Sequence, residues 1–289
     1  MGLSDFFKSI LPNGNQKATE SLQEPKAESF DKLEKKLELN RRIEEEGRKY
    51  EENRKIYIQN KKEKFSEYLN NALPFSIFLS DEKFPKNKVA DMPEIKYSNI
   101  IKTTNPETIQ NFIVVDVETT GLSARDEIIE LSAIKFRNFS PVEVFTTLIK
   151  PKKEIPPEAT RVNHITNDMV LSSPTINQIT PAFLEFIADT DILVGHNLEF
   201  DLKFLHVWGI NFHNEKRKYY DTLSLSRRTI ETSDRSYSLD SICQEYNIFR
   251  DNAHRATSDC LATGILFVEL AMERIPREKF SFFPDILKY

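Results

Sequence analysis

Apolar residues first gather at Leu3, Phe6, Phe7, Ile10 and Leu11, which share one stripe of a helix over residues 1–11. The following PNGNQKATESLQEPKAES is polar and broken by Pro and Gly, the composition of a disordered tether. Residues 1–28 therefore read as a short amphipathic helix on a tether. It is either a docking peptide for a protein partner or a segment that folds back on its own domain. Residues 29–70 are a charge-rich helical segment. Leu33 and Leu37 open one stripe, and Ile43, Tyr50 and Tyr57 continue another at sevenfold spacing, but the register slips between them and Gly47 interrupts. A coiled coil keeps one seam for several heptads, so the pattern predicts a solvated helix or helical hairpin rather than a dimer zipper. Residues 71–108, with Pro74, Pro85, Pro93 and Pro106, read as an irregular linker whose FSIFL run can lie on a neighbouring surface.

The pattern changes near residue 109. Apolar runs predict strands over 112–117, 127–137 and 142–150, the last two joined through NFSP. A helix is expected over 177–189, a short strand over 191–195 and a helix over 197–208. A strand follows at 217–221, then helices near 222–231, 238–247 and 255–273, and 276–289 form a tail. Strands first, then helices alternating with strands, imply an α/β domain over residues 109–275 with a mixed sheet covered by helices.

Charge sharpens the division. Residues 1–105 hold 20 basic and 18 acidic side chains, and the rest 20 basic and 27 acidic, for a net −5 overall. That balance excludes a protein that grips long duplex nucleic acid by bulk attraction, but not an active site that takes one strand end. Cys243 and Cys260 have neither metal-binding nor redox spacing, as in a reduced intracellular protein. No apolar run approaches the roughly 20 residues of a membrane span. MGLSDFFKSIL lacks the long apolar core of a secretory signal, and Phe6 stands where a myristoylation motif has Ser or Thr. The expected location is cytoplasmic, with no membrane span.

Within this frame IVVDVETTGL, residues 113–122, is anomalous. Ile113, Val114, Val115 and Val117 mark a central strand covered on both faces. Asp116 and Glu118 are written into its end on one face, because alternate strand residues point the same way. An unpaired buried carboxylate costs several kcal/mol, and a second like charge costs more. In the helix NLEFDLKFLHVW, Glu199, Lys203 and His206 share a polar stripe, while Asp201 falls among Leu198, Leu205 and Trp208. Alone, such an Asp is as readily a loop cap or the partner of an Arg. In AHRATSDC, Asp259 shares a helix face with Leu266 and Leu270, and His254 precedes it by five residues. A lone His is more often an ordinary surface or core residue. Together, three segments bring acids to one buried surface, and four inward carboxylates can hold two divalent cations through oxygen.

Asp116, Glu118, Asp201, His254 and Asp259, in this order and in the settings DVETTGL, GHNLEFDLKFL and HRATSD, resemble the DEDDh exonucleases of the ribonuclease-H-like fold. RVNHITNDMV is similar to the loop those enzymes carry after the third strand. The resemblance spans roughly 109–275 and is nearest to proofreading exonucleases of bacterial replicative polymerases, departing from them in its N-terminal extension. It implies a ribonuclease-H-like mixed five-stranded sheet flanked by helices, preceded by a charged helical N-terminal extension. It implies 3′-5′ hydrolysis of a single-stranded or frayed nucleic-acid 3′ end to nucleoside monophosphates, on DNA in proofreading or repair.

By the same resemblance, Asp116, Glu118, Asp201 and Asp259 ligate two divalent cations, Mg²⁺ with Mn²⁺ as a substitute, and His254 is the general base. Thr119, Thr120 and Leu122 would hold the terminal nucleotide, with Asn197 and Phe200 as further contacts; core packing is the equal alternative for Phe200. Lys216, Arg217, Lys218, Arg227 and Arg228 are candidate guides for the backbone, or simply a solvated face. The five residues do not separate DNA from RNA, so an RNA 3′-end exonuclease is the first rival. A non-catalytic adaptor that uses the fold to recruit a partner is the second.

Overall fold

The computed structural model of the chain describes residues 27–230, 236–250 and 254–281. The helix expected over 1–11, most of its tether and the end of the C-terminal tail lie outside the described residues. The chain packs as two units, Met1–Lys55 and Ile56–Tyr289.

In the first unit the described residues belong to one helix, α1 (Ala27–Asn71), which continues into the second. Its Glu, Lys, Arg and Leu residues are good helix formers. Pairs one turn apart, such as Glu38 with Arg42 at 3.2 Å and Glu45 with Lys49 at 3.1 Å, add to that. The helix runs uninterrupted through Gly47, so the hairpin alternative is not realised. Ile43 and Tyr50 remain exposed.

The second unit is a mixed sheet with helices on both faces. Its strands are β1 (Leu73–Pro74), β2 (Phe112–Thr119), β3 (Ile128–Arg137), β4 (Ser140–Leu148), β5 (Ile192–Gly195) and β6 (Lys218–Asp221), in spatial order β1-β4-β3-β2-β5-β6. The sheet thus has six strands rather than the five expected. The extra one is two residues long, contains a Pro and pairs with an edge, too little for any periodicity to reveal. β2 is central, antiparallel to β3 and parallel to β5. The turn from β3 to β4 is tighter than NFSP implied. Only Asn138 and Phe139 intervene, with φ of 50° and 62°, the left-handed pair that suits a two-residue hairpin.

Helices α2 (Pro157–Asn163), α3 (Asn167–Val170), α4 (Ile176–Ile187), α5 (Leu198–Val207), α6 (Thr222–Thr229), α7 (Leu239–Glu245) and α8 (Ala256–Arg274) complete the unit. Side-chain alternation along β2 divides the core. Phe112 and Val114 pack with Phe136, Leu266 and Phe267 under α8. Ile113, Val115 and Val117 pack with Phe183, Phe186 and Leu202 under α4 and α5. Helix α8 approaches β3 closely because position 264 is Gly; a Cβ there would run into the ring of Phe136.

Residues 72–109 lie along the sheet and its α4–α5 cover. Phe75 stands edge-on to Phe186, 5.2 Å between ring centres, Ile100 is fully buried, and Ser98 N–H donates to Tyr219 O at 2.8 Å. His206, expected on a polar stripe, is buried beneath this segment, its Nε2 3.0 Å from Lys88 O. No described helix is long and apolar enough to cross a membrane.

Candidate active site

Asp116 and Glu118 occupy the carboxyl end of β2. Their parity matches Phe112 and Val114, so both face α8, whose first turn carries Asp259. Oxygens of Asp116, Glu118 and Asp259 all lie within 4.8 Å of one another. Asp201, in the first turn of α5, arrives from the opposite cover. Its Oδ1 accepts the Val117 N–H at 2.9 Å, which ties it to the strand between the two acids. Asp201 thus bonds to strand backbone rather than capping a loop or pairing with an Arg. Asp221 fixes the entry to α5. It caps α6 through Ser224 N–H and also accepts the Asn197 N–H at 2.7 Å, where Asn197 turns the chain at φ 65°.

The energetic signature is that of crowded acids. Burial, then Asp201, Asp259, Glu118 and Glu130, holds Asp116 well above the ordinary carboxylate range. Glu118 is pushed up to about 8 by burial, Asp259 and Glu130. Asp201 rises to about 8 because burial outweighs its backbone hydrogen bond. Asp259 rises to about 6, again chiefly by burial, with the Arg250 cation pulling the other way. Burial and mutual repulsion favour the protonated forms, against the pull of Arg250 on Asp259 and of Arg255 on Glu118.

Glu130 and its partner were not singled out in the sequence. Glu130 faces Glu118 across the β2–β3 ladder, almost fully buried. Arg255 neutralises it with a forked contact, Nη2 to Oε1 at 2.7 Å and Nε to Oε2 at 3.1 Å. The Ala256 N–H also donates to Oε2 at 3.0 Å. Glu130 thus caps α8 and places Asp259 one turn along it. The signal was available as a lone acid inside the apolar strand IIELSAI, with an Arg next to His254. Asn163 is another such residue. Buried, it donates to Thr119 O at 3.3 Å and braces the turn after β2.

His254 sits before α8 at φ 64°, about half exposed, its Nε2 3.9 Å from Asp240 Oδ2. Leu122 is 82% exposed, a large apolar side chain standing in solvent in the turn after β2. The hydroxyls of Thr119 and Thr120 are used inside the turn: Thr119 Oγ1 donates to Gly121 O at 2.6 Å, and Thr120 Oγ1 accepts the Glu127 N–H at 2.9 Å. Phe200 is half-buried against Phe204, ring centres 4.9 Å apart. Of the basic candidates, Arg217 is structural: it is buried and donates to the carbonyls of Phe212, Ile187 and Thr190. Lys216 and Lys218 stand at the start of β6, the end of the sheet away from the acids. Cys243 and Cys260 are buried and free, and burial raises both thiols, Cys243 to about 12.

The donor set fits divalent cations. It is all carboxylate oxygen, as hard cations prefer, and Asp259 Oδ1 is buried without a hydrogen bond. Arg255 offsets Glu130 and Arg250 is shared between Asp259 and Asp240, so Asp116, Glu118 and Asp201, once ionised, leave negative charge for a cation to balance.

A family profile described as exonuclease matches residues 113–267. The DNA polymerase III of PolC type from Thermotoga maritima is 36% identical over 178 residues, 59% of this chain but 13% of that protein. The DNA polymerase III epsilon subunit from Aquifex aeolicus is 33% identical over 165 residues, 56% of this chain and 81% of that one. Among solved structures, exonuclease I from Methylocaldum szegediense overlaps 58% of this chain and 42% of its own at 22% identity, TM-score 0.46. The chain thus spans a small part of the PolC-type relatives and most of the epsilon relative.

Proposed function

The chain belongs to the exonuclease family, and from that premise we propose that it hydrolyses DNA one nucleotide at a time from a single-stranded or frayed 3′ end. One observation carries the reading: oxygens of Asp116, Glu118 and Asp259 converge within 4.8 Å at the end of a buried strand. Asp116, Glu118, Asp201 and Asp259 would hold two divalent cations, Mg²⁺ in the cell. When bound, such a pair activates a water and stabilises the leaving oxygen in an in-line displacement.

This chain's own residues do the rest. His254 accepts the proton of the attacking water at its imidazole, the side chain most often used for general-base work. Its half-exposed place ahead of α8 lets it meet a strand end arriving from solvent. Leu122 wedges against the terminal base, the Thr119–Thr120 backbone receives the terminal nucleotide, and Asn197 and Phe200 line the same approach. Apolar contact with base faces accepts any sequence. The bond from phosphorus to the 3′ oxygen breaks, water supplies the new oxygen, and a nucleoside 5′-monophosphate leaves.

Matched single-stranded DNA and RNA oligonucleotides, digested in parallel with Mg²⁺, test the substrate. Stepwise shortening of the DNA from its 3′ end, at least tenfold faster than of the RNA, is expected. Preferential shortening of RNA would move the reading to an RNA 3′-end exonuclease, and digestion of neither would return it to an adaptor.

A further inference from the structure

We propose that Arg250 is a positioning residue for this centre, braced by the helix that precedes the domain. The inference rests on the exonuclease reading above. Arg250 is nearly buried, and its guanidinium spans two carboxylates. Nη1 lies 2.9 Å from Asp240 Oδ1, Nε lies 2.9 Å from Asp259 Oδ1, and Nη2 donates to Asp259 Oδ2 at 3.4 Å. The Nε contact is out of line for a hydrogen bond, so Oδ1 of Asp259 is steered by charge without its lone pair being taken. The other oxygen of Asp240 faces His254 Nε2 at 3.9 Å. One arginine therefore addresses Asp259 directly and His254 through Asp240, the two site residues carried by α8 and its approach.

What fixes Arg250 is its neighbour. The Phe249 ring is met edge-on by Phe65 of α1, ring centres 5.5 Å apart at 84°, and Lys62 Nζ stands 5.2 Å from the same ring. Phe65 is itself buried, and the Ile248 N–H donates to Cys243 O at 2.8 Å. Edge-on aromatic pairs and cations over rings are directional contacts. They pin the backbone from which Arg250 reaches. The planar fork suits two carboxylates at once, whereas a lysine ammonium reaches as a single point. The last turns of α1 are thus part of the machinery that sets the acids.

The full-length protein with Arg250→Met, Arg250→Lys and Phe65→Leu tests this, by kcat and KM on a single-stranded DNA oligonucleotide and by amide hydrogen exchange without metal. Arg250→Met should lower kcat about thirtyfold with KM within about twofold of wild type, and Arg250→Lys should recover about half of that loss on a logarithmic scale. Phe65→Leu should lower kcat about fivefold and speed exchange of peptides spanning Ile248–Arg250 while leaving β2–β3 peptides unchanged. Wild-type kcat in Arg250→Met overturns the proposal. So does a loss accompanied by faster exchange throughout and no recovery in Arg250→Lys, which is a general loss of stability. Absence of hydrolysis of both DNA and RNA by the wild-type protein would instead overturn the exonuclease reading. The brace would then stand or fall on the exchange of Ile248–Arg250 in Phe65→Leu.

Discussion

At the scale of single residues, the carboxylates behave as groups waiting for positive charge. Glu118 and Asp201 at about 8 and Asp259 at about 6 all lie above the roughly 4 of an unfolded carboxylate. Without cations the folded state binds these protons more tightly than the unfolded state. Their stabilising share is therefore complete below the unfolded value and is lost as pH rises through 6 to 8. The chelated protein should show a falling melting temperature between pH 6 and pH 9, and Mg²⁺ should restore it at the alkaline end. A melting temperature flat across that window, with and without Mg²⁺, would contradict the shifts. His254→Ala should lose about a hundredfold or more in turnover yet bind Mn²⁺ as wild type does, a base typically contributing ~10²–10⁴; near-normal turnover would remove His254 from its role. The acids were legible because each broke a local rule: Asp116 in an apolar strand, Asp201 on an apolar helix face, Asp259 among leucines. Glu130, Arg255 and Arg250 were missed because each compensates another residue. A paired charge looks ordinary until its partner, more than a hundred residues away for Glu130 and Arg255, is placed beside it.

At the scale of elements, the long periodic segments were read closely. Strand 112–117 became Phe112–Thr119, helix 197–208 became Leu198–Val207 and helix 255–273 became Ala256–Arg274. Misreadings fall where tertiary contact outweighs pattern. The β3–β4 hairpin is a two-residue turn with Asn138 and Phe139 left-handed, and Phe139 is fully buried, which the NFSP pattern does not announce. His206 is covered by Lys88, beyond the FSIFL run that was expected to lie on a neighbouring surface. Close approach of α8 to the sheet is another such feature. Ala is intrinsically better than Gly in a helix by about 1 kcal/mol, yet a Cβ at position 264 meets the Phe136 ring. Gly264→Ala should therefore destabilise the protein by about 1–3 kcal/mol in urea unfolding, the usual cost of overpacking. Stabilisation would mean that the helix can move away from β3 freely.

At the scale of the whole molecule, the least legible part was how residues 56–108 pack on the domain. Prolines and mixed charge made residues 71–108 read as a linker. Packing is decided by a few apolar residues that no period links: Phe75 on Phe145 and Phe186, Ile100 at 0% exposure, Phe65 on Phe249. A chain begun at Ile109 should uncover these contacts and aggregate, whereas deletion of residues 1–28 should leave turnover on a short oligonucleotide within about twofold, if that segment serves docking alone. A soluble, active chain from Ile109, or a large loss on deleting 1–28, would reverse that division. The account as a whole depends on distant acids meeting around a pair of divalent ions. Titration of the full-length protein with Mn²⁺, followed by the paramagnetic signal of the free ion, measures this directly. Two ions bound per chain in the wild type, with both losing affinity in Asp116→Ala, is the predicted result; no saturable binding, or binding unchanged in Asp116→Ala, would contradict it.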